Sequence, residues 1–245
     1  MNIQRLWNIA PVATINCVDM GILTPNFNKS ITEIAISTFD SYCNTSLQKP
    51  HQKRKRRSSQ RGTSASSDVN LTLNDFFFEY QKIHGFTRGL NHFKNSKDIK
   101  TLEAVLETHV IHYFSFLDTK SSHALNLYND GILSLDIWAA VQHGDGAYHK
   151  NHVHEGVILS GVYYSSMPNG SAPLIMYKPR GDTECANDAV DHHHVFTPVE
   201  GQLIIFPPWL FHGVPKATSI TYSPRVSFAF NLSGPIMGDP WDITR

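Results

Sequence analysis

Cysteine is scarce in this sequence, and its placement excludes one class of protein. The chain has three cysteines in 245 residues, Cys17, Cys43 and Cys185, and no two of them form a C-x-x-C pair. An odd number at such wide spacing excludes a disulfide framework. The composition therefore favours a reducing compartment.

The sequence also lacks an excess of charge and long apolar runs. Lysine plus arginine equals aspartate plus glutamate at 21 each, so no net field draws the whole molecule to nucleic acid or a membrane. No apolar run approaches the roughly 20 residues that span a bilayer, and Met1–Trp7 lacks an apolar signal region. We predict a soluble intracellular protein, cytoplasmic or nuclear, with neither membrane nor nucleic acid as a favoured partner.

Core-forming side chains are absent from residues 49–68, which contain no Val, Leu, Ile, Met, Phe, Tyr or Trp. Such a segment cannot bury enough surface to offset its ordering entropy, so the sequence predicts a disordered basic insert. Its cluster Lys53–Arg57 fits a nuclear-import signal or a polyanion-binding patch, and equally a loop that charge keeps solvated.

The first half of the chain carries helical patterns. Apolar residues near helical spacing predict a helix from Ser30 to about Leu47, and Asn74-Asp75 could cap another through Phe76–Tyr80. Ser96 can cap a third helix, whose apolar stripe continues to Phe114 and makes His109 and His112 core or interface residues. We expect residues 1–130 to form an N-terminal segment and helical support layer.

The second half has a β pattern. Short alternating or β-branched runs begin near residues 133, 152, 173, 202 and 225, with turn signals and no helix between them. This order predicts a sandwich, barrel or jelly roll over residues 131–245, in one compact domain with the helices. Residues 181–194, which end in three histidines, predict a polar loop.

The chemistry is concentrated at two places in this β region. His152 and His154, one residue apart at the start of a β run, would share a strand face as metal ligands, and His212 follows another apolar strand. Arg225 and Ser227 share one face of the last strand. An inward guanidinium needs an anion and is suited to a carboxylate.

Four motifs occur in order between Trp138 and Asn231: His-x-His, Ser-Gly-Val-Tyr-Tyr, Pro-x-x-Gly-x-Leu-x-x-Phe-Pro-x-x-x-x-His and Arg-x-Ser-x-x-x-Asn. Together they resemble the 2-oxoglutarate/Fe(II)-dependent oxygenases, in a branch related to the prolyl-hydroxylase type. The resemblance implies a double-stranded β-helix, a jelly roll, that uses Fe(II), 2-oxoglutarate and O₂. The family reaction couples decarboxylation of 2-oxoglutarate to succinate and CO₂ with hydroxylation of an unactivated C–H bond.

The resemblance also implies residue roles. His152 and His212 would be iron ligands, and His154 stands where most of the superfamily has a carboxylate. Arg225 would pair with the distal carboxylate of 2-oxoglutarate, assisted by Ser227 and by a tyrosine. Tyr164 is favoured over Tyr163 for that role because it has the same strand parity as Ser160 and Val162.

Position 154 leaves alternatives open. Glu155 would serve as the carboxylate if the strand turns there, and Asp145 is a third candidate. Other hypotheses are a cupin-like three-histidine metalloenzyme that does not use 2-oxoglutarate and a non-catalytic β-domain. The sequence does not identify the substrate, small molecule or protein, or the oligomeric state.

Overall fold

The fold was analysed in a computed structural model, which describes residues 1–47, 75–79, 96–117, 126, 129–131, 133–142, 148–179, 192–217 and 223–234. The predicted disordered insert at 49–68, Asp145 and most of the predicted loop 181–194 lie outside the described residues.

Within the described residues, eleven antiparallel strands build two sheets. In chain order they are β1 Asn2–Leu6, β2 Ala10–Asn16, β3 Asp75–Glu79, β4 Ser134–Gln142, β5 His149–His152, β6 Leu159–Ser166, β7 Leu174–Tyr177, β8 His193–Phe196, β9 Gln202–Phe206, β10 His212–Val214 and β11 Arg225–Ser233. The major sheet has the order β1-β2-β9-β6-β11-β4-β3, and the minor sheet β5-β10-β7-β8. From β4 to β11 each connection crosses from one sheet to the other except that between β7 and β8, which are neighbours in the minor sheet, and this arrangement confirms the predicted jelly roll.

The major sheet has two different faces because side chains alternate along its strands. On β11, Val226, Phe228 and Phe230 pack into the larger core, whereas Arg225 and Ser227 line a pocket on the opposite face. The structure therefore separates these residues onto the two faces that the alternation of β11 predicts.

Two helices cover the larger core. α1 runs from Pro25 to Leu47 and α2 from Lys97 to Phe116. α1 begins earlier than predicted, because Thr24 caps it by accepting a hydrogen bond from the Phe27 amide (3.1 Å) and proline is well tolerated in a first turn. α2 begins after Ser96, as predicted, and buries Leu102, Leu106 and Val110 against the sheet. Neither helix is long and apolar enough to cross a membrane.

Three segments differ from the sequence prediction. Asp75–Glu79 was expected to be helical but forms β3, whose ladder with β4 satisfies its backbone groups at the sheet edge. His193 and His194 were expected in a loop but belong to β8, which pairs with β7. His152 and Leu159 were expected in one continuous strand, but they end β5 and begin β6, in different sheets.

Candidate metal and co-substrate site

Two strand ends and one turn bring three histidines together. His152 ends β5 and lies directly opposite His212, the first residue of β10. His154 lies beyond the strand, where its backbone N–H donates to the Pro208 carbonyl (2.9 Å). The His-x-His pair therefore does not share one face of a continuous strand. Instead the turn at Glu155-Gly156, with Gly156 at φ 71°, sets the position of His154.

The three imidazoles are close enough to share one ion. One nitrogen from each of His152, His154 and His212 lies within 4.8 Å of the others, and Nε2 of His154 is 3.3 Å from Nε2 of His212. Nitrogens that each bind one ion at about 2.1 Å lie roughly 3 to 3.5 Å apart in tetrahedral or octahedral geometry. A single ion is therefore within reach of all three after small side-chain rotations.

Backbone contacts orient two of these rings. Nδ1 of His152 is 2.8 Å from the Lys150 carbonyl oxygen, and Nδ1 of His212 is 2.7 Å from that of Leu210. A carbonyl only accepts, so Nδ1 of each ring carries the proton and Nε2 carries the lone pair. This outer hydrogen bond is the usual device for fixing the tautomer of a metal-binding histidine.

The pocket also keeps its imidazoles neutral. Burial lowers the pKa of His212 to about 3 and that of His154 to about 4, and neighbouring histidines add to the effect. Only the neutral ring has a lone pair for a metal, so these groups are ready to bind an ion at pH 7 without losing a proton.

These pKa values predict a pH dependence of stability in the metal-free protein. Below pH 6.5 the unfolded chain protonates its histidines, whereas folded His212 and His154 resist protonation down to about pH 3 and 4. The free energy of unfolding should therefore fall as the pH drops from about 6.5 to 4, by at most ~1.4 kcal/mol per pH unit for each histidine. Urea denaturation at pH 7, 6 and 5 with a chelator present measures this fall.

A pair of variants isolates the contribution of His212. His212→Gln should have a shallower fall than the unaltered protein, and His193→Gln, at an exposed histidine, should keep the full slope. Equal slopes in all three proteins would contradict the assigned cause.

His149 is a fourth pocket histidine that sequence reasoning missed. Its ring stacks on that of His152, with centroids 4.5 Å apart, and burial lowers its pKa to about 3. Residues 149 and 152 have opposite parity, so a regular strand would separate them. Between the pairs His152–His212 and His149–Val214, β5 advances by three residues while β10 advances by two. This β-bulge brings the side chains of His149 and His152 to the same face of β5, so both line the pocket.

The other end of the pocket contains a buried arginine. Arg225 is buried, its Nη1 donates to Oε1 of Gln142 (2.6 Å), and its Cζ lies 5.2 Å from the Tyr164 ring centroid. Ser227, also buried, is the register partner of Tyr164. The Tyr164 hydroxyl is buried and makes no hydrogen bond to the described residues, so a ligand oxygen fits there. Burial raises the pKa of the Tyr164 hydroxyl to about 12, although the positive charge of Arg225 lowers it. The hydroxyl therefore keeps its proton and can donate a hydrogen bond.

One pocket joins the two ends. The empty space around its lining, open solvent included, is about 540 Å³. The metal-end histidines and Arg225, Ser227 and Tyr164 all line it, with apolar walls from Trp138, Val162, Leu174 and Phe206.

Two of the candidates from the sequence are not brought into this pocket, and the position of a third is not described. Tyr163 faces the larger core, where its hydroxyl donates to Oδ1 of Asn28, because residues 163 and 164 alternate across β6. Glu155 is exposed in the turn after His154 and is not part of the three-histidine group. Asp145 lies outside the described residues, so its candidacy stays a prediction.

The comparisons with known proteins agree with this geometry. Residues 136–231 match a family model described as "Putative 2OG-Fe(II) oxygenase", and this range contains every pocket residue named above. A comparison with curated proteins found no match.

Three solved structures are among those that a structural comparison matched to this chain. A Pseudomonas putida prolyl-4-hydroxylase has a TM-score of 0.48 at 14% identity, over 91% of this chain and 92% of that one. An oxidoreductase of the 2OG-Fe(II) oxygenase family from Burkholderia pseudomallei has a TM-score of 0.40 at 13% identity, over 57% and 59%. A non-heme alpha-ketoglutarate-dependent epimerase from nogalamycin biosynthesis has a TM-score of 0.33 at 14% identity, over 54% and 59%.

Proposed function

We propose that this protein, whose residues 136–231 match the oxygenase family model, is a 2-oxoglutarate- and Fe(II)-dependent oxygenase that hydroxylates or otherwise oxidises an organic substrate and releases succinate and CO₂. His152, His154 and His212 would hold the iron, and Arg225, Ser227 and Tyr164 would hold 2-oxoglutarate. The observation that carries the proposal is that a three-histidine group and a buried arginine line one pocket.

The donor set fits an iron site with open positions. Three protein nitrogens leave coordination positions for exogenous ligands, which a catalytic metal requires. When bound, Fe(II) supplies the redox centre at which O₂ oxidises the substrate while 2-oxoglutarate provides two electrons. The protein's own residues hold the ion, keep Nε2 of His152 and His212 unprotonated and shield the site behind Phe206, whose ring packs edge-on against His212.

The anion end fits a dicarboxylate that reaches from the metal. A guanidinium pairs strongly with a carboxylate, and the Tyr164 and Ser227 hydroxyls can donate to the same oxygens. The apolar side chains of Val162 and Leu174 would flank the methylene groups of 2-oxoglutarate and exclude water. This arrangement would orient the keto-acid end toward the histidines.

Turnover of 2-oxoglutarate is the direct test. Purified protein with Fe(II), ascorbate and O₂ should form succinate slowly alone and faster with a productive substrate from a panel of peptides and small metabolites. An anaerobic sample is the control. Tight binding of Fe(II) together with no binding of 2-oxoglutarate would instead favour a three-histidine metalloenzyme that uses no keto acid.

The role of His154 can be tested apart from activity. We expect His154→Asp to bind Fe(II) at least as tightly as the unaltered protein, because a carboxylate adds a negative charge to an otherwise neutral donor set. His154→Ala should bind it roughly 10- to 100-fold more weakly, since one ligand is lost. Chelator competition under anaerobic conditions measures both. If neither variant changes the affinity, the third ligand is a carboxylate, and Glu155→Gln and Asp145→Asn identify which.

A further inference from the structure

Gln142 contacts the proposed anion site although no motif points to it. It ends β4, directly opposite Arg225 in the β4–β11 ladder. Its Oε1 accepts a 2.6 Å hydrogen bond from Nη1 of Arg225, and both side chains are more than nine-tenths buried, at 5% and 7% exposure. A short bond between two buried side chains on paired strands fixes the orientation of the guanidinium.

The chemistry of this partner matters as much as its position. An amide oxygen accepts from a guanidinium without cancelling its charge, whereas a carboxylate in the same place would form a buried ion pair with it. None of the described residues that line the pocket is acidic, and Arg225 is the one among them with a permanent positive charge. Gln142 therefore orients the guanidinium without adding a negative charge to the pocket.

We propose that Gln142 is a positioning residue that aims Arg225 at the distal carboxylate of the co-substrate and, as a neutral acceptor, does not itself cancel the charge of the guanidinium. Gln142 thereby makes the site select dicarboxylate 2-oxo acids over monocarboxylate ones. The inference rests on the proposed function, because it takes the carboxylate at Arg225 to be that of 2-oxoglutarate.

Gln142→Glu separates positioning from mere structural support. It keeps the shape and the acceptor oxygen but adds a charge, so its melting temperature should be no lower than that of the unaltered protein. Its affinity for 2-oxoglutarate should nevertheless fall roughly 30-fold, because a neighbouring carboxylate repels the ligand and neutralises Arg225. Affinity for 2-oxobutanoate, which lacks the distal carboxylate, should change less than about 3-fold, because Arg225 has no carboxylate to bind there. Anaerobic calorimetry on Fe(II)-loaded protein measures both affinities.

Two further variants make every outcome decisive. If Gln142→Glu binds 2-oxoglutarate as the unaltered protein does, the inference is wrong and Gln142 only fills space. If Gln142→Glu does not fold, Gln142→Met decides: a fall in the ratio of 2-oxoglutarate to 2-oxobutanoate affinity supports the inference, and an unchanged ratio overturns it. Arg225→Met tests the premise separately. If Arg225→Met keeps full affinity for 2-oxoglutarate, the co-substrate assignment itself is wrong. If Arg225→Met binds 2-oxoglutarate more weakly while Gln142→Glu binds it normally, only the inference about Gln142 is wrong.

Discussion

The His212→Ala variant is expected to bind Fe(II) at least ~100-fold more weakly than the unaltered protein, because it removes a proposed ligand whose imidazole is already oriented and neutral. His212 is the buried member of the three-histidine group, and its Nδ1–H donates to the Leu210 carbonyl, which leaves Nε2 with its lone pair 3.3 Å from Nε2 of His154. Anaerobic competition with a coloured chelator gives the affinity, and the absorption spectrum of the Co(II)-substituted protein reports the loss of a nitrogen donor.

His193→Ala is the matched control for this variant. His193 lies in the same minor sheet but is exposed, and it is not part of the three-histidine group. The His193→Ala variant should leave the Fe(II) affinity unchanged. This result would show that a loss of affinity in His212→Ala is specific to the three-histidine group and does not follow from removing any histidine of the sheet. Unchanged iron binding in folded His212→Ala, as judged by circular dichroism, would remove His212 from the metal site.

The second large effect is expected from Arg225→Met, which should raise the dissociation constant of 2-oxoglutarate about 100-fold while Fe(II) remains bound. A buried, charge-assisted pair with a carboxylate accounts for a loss of this size. Methionine fills much of the volume of the arginine stem, so the loss reports the guanidinium rather than a cavity. Calorimetric titration of the Fe(II)-loaded variant gives the constant, and chelator competition verifies the metal.

Arg5→Met, at an exposed arginine of β1, is the control and should bind 2-oxoglutarate normally. Tyr164→Phe should weaken binding less, by roughly 10-fold, because it removes one neutral donor and leaves the charge. Full affinity in Arg225→Met would reject the arginine as the co-substrate anchor, whatever the metal site does.

Local patterns in the sequence determined much of this fold. The alternation of β11 predicts that Arg225 and Ser227 face away from Phe228 and Phe230, because a strand repeats every two residues. Ser96 and the stripe through Leu102 and Leu106 predict α2 for the same kind of reason, since caps and helical periodicity act within one element. The sequence likewise favoured Tyr164 over Tyr163 from strand parity alone, and it is Tyr164 that lines the pocket.

The segment Asp75–Glu79 shows that local sequence patterns do not always predict secondary structure. Its aromatic run follows a possible N-cap and was predicted to be helical. It forms a strand instead, because its backbone hydrogen-bonds to the edge of β4. A neighbouring strand that lies some sixty residues away in sequence is invisible to local propensity.

The sequence by itself determined which residue types the site contains, namely a His-x-His pair, a late histidine and an arginine on an inward strand face. Only the tertiary structure decided how they meet. The turn at Glu155-Gly156 accompanies the convergence of His154 with His212, and a bulge on β5 places His149 beside His152. The pairing of β4 with β11 sets Gln142 against Arg225. Turns, bulges and strand register depend on hydrogen bonds between segments far apart in the chain, so no single stretch of sequence encodes them.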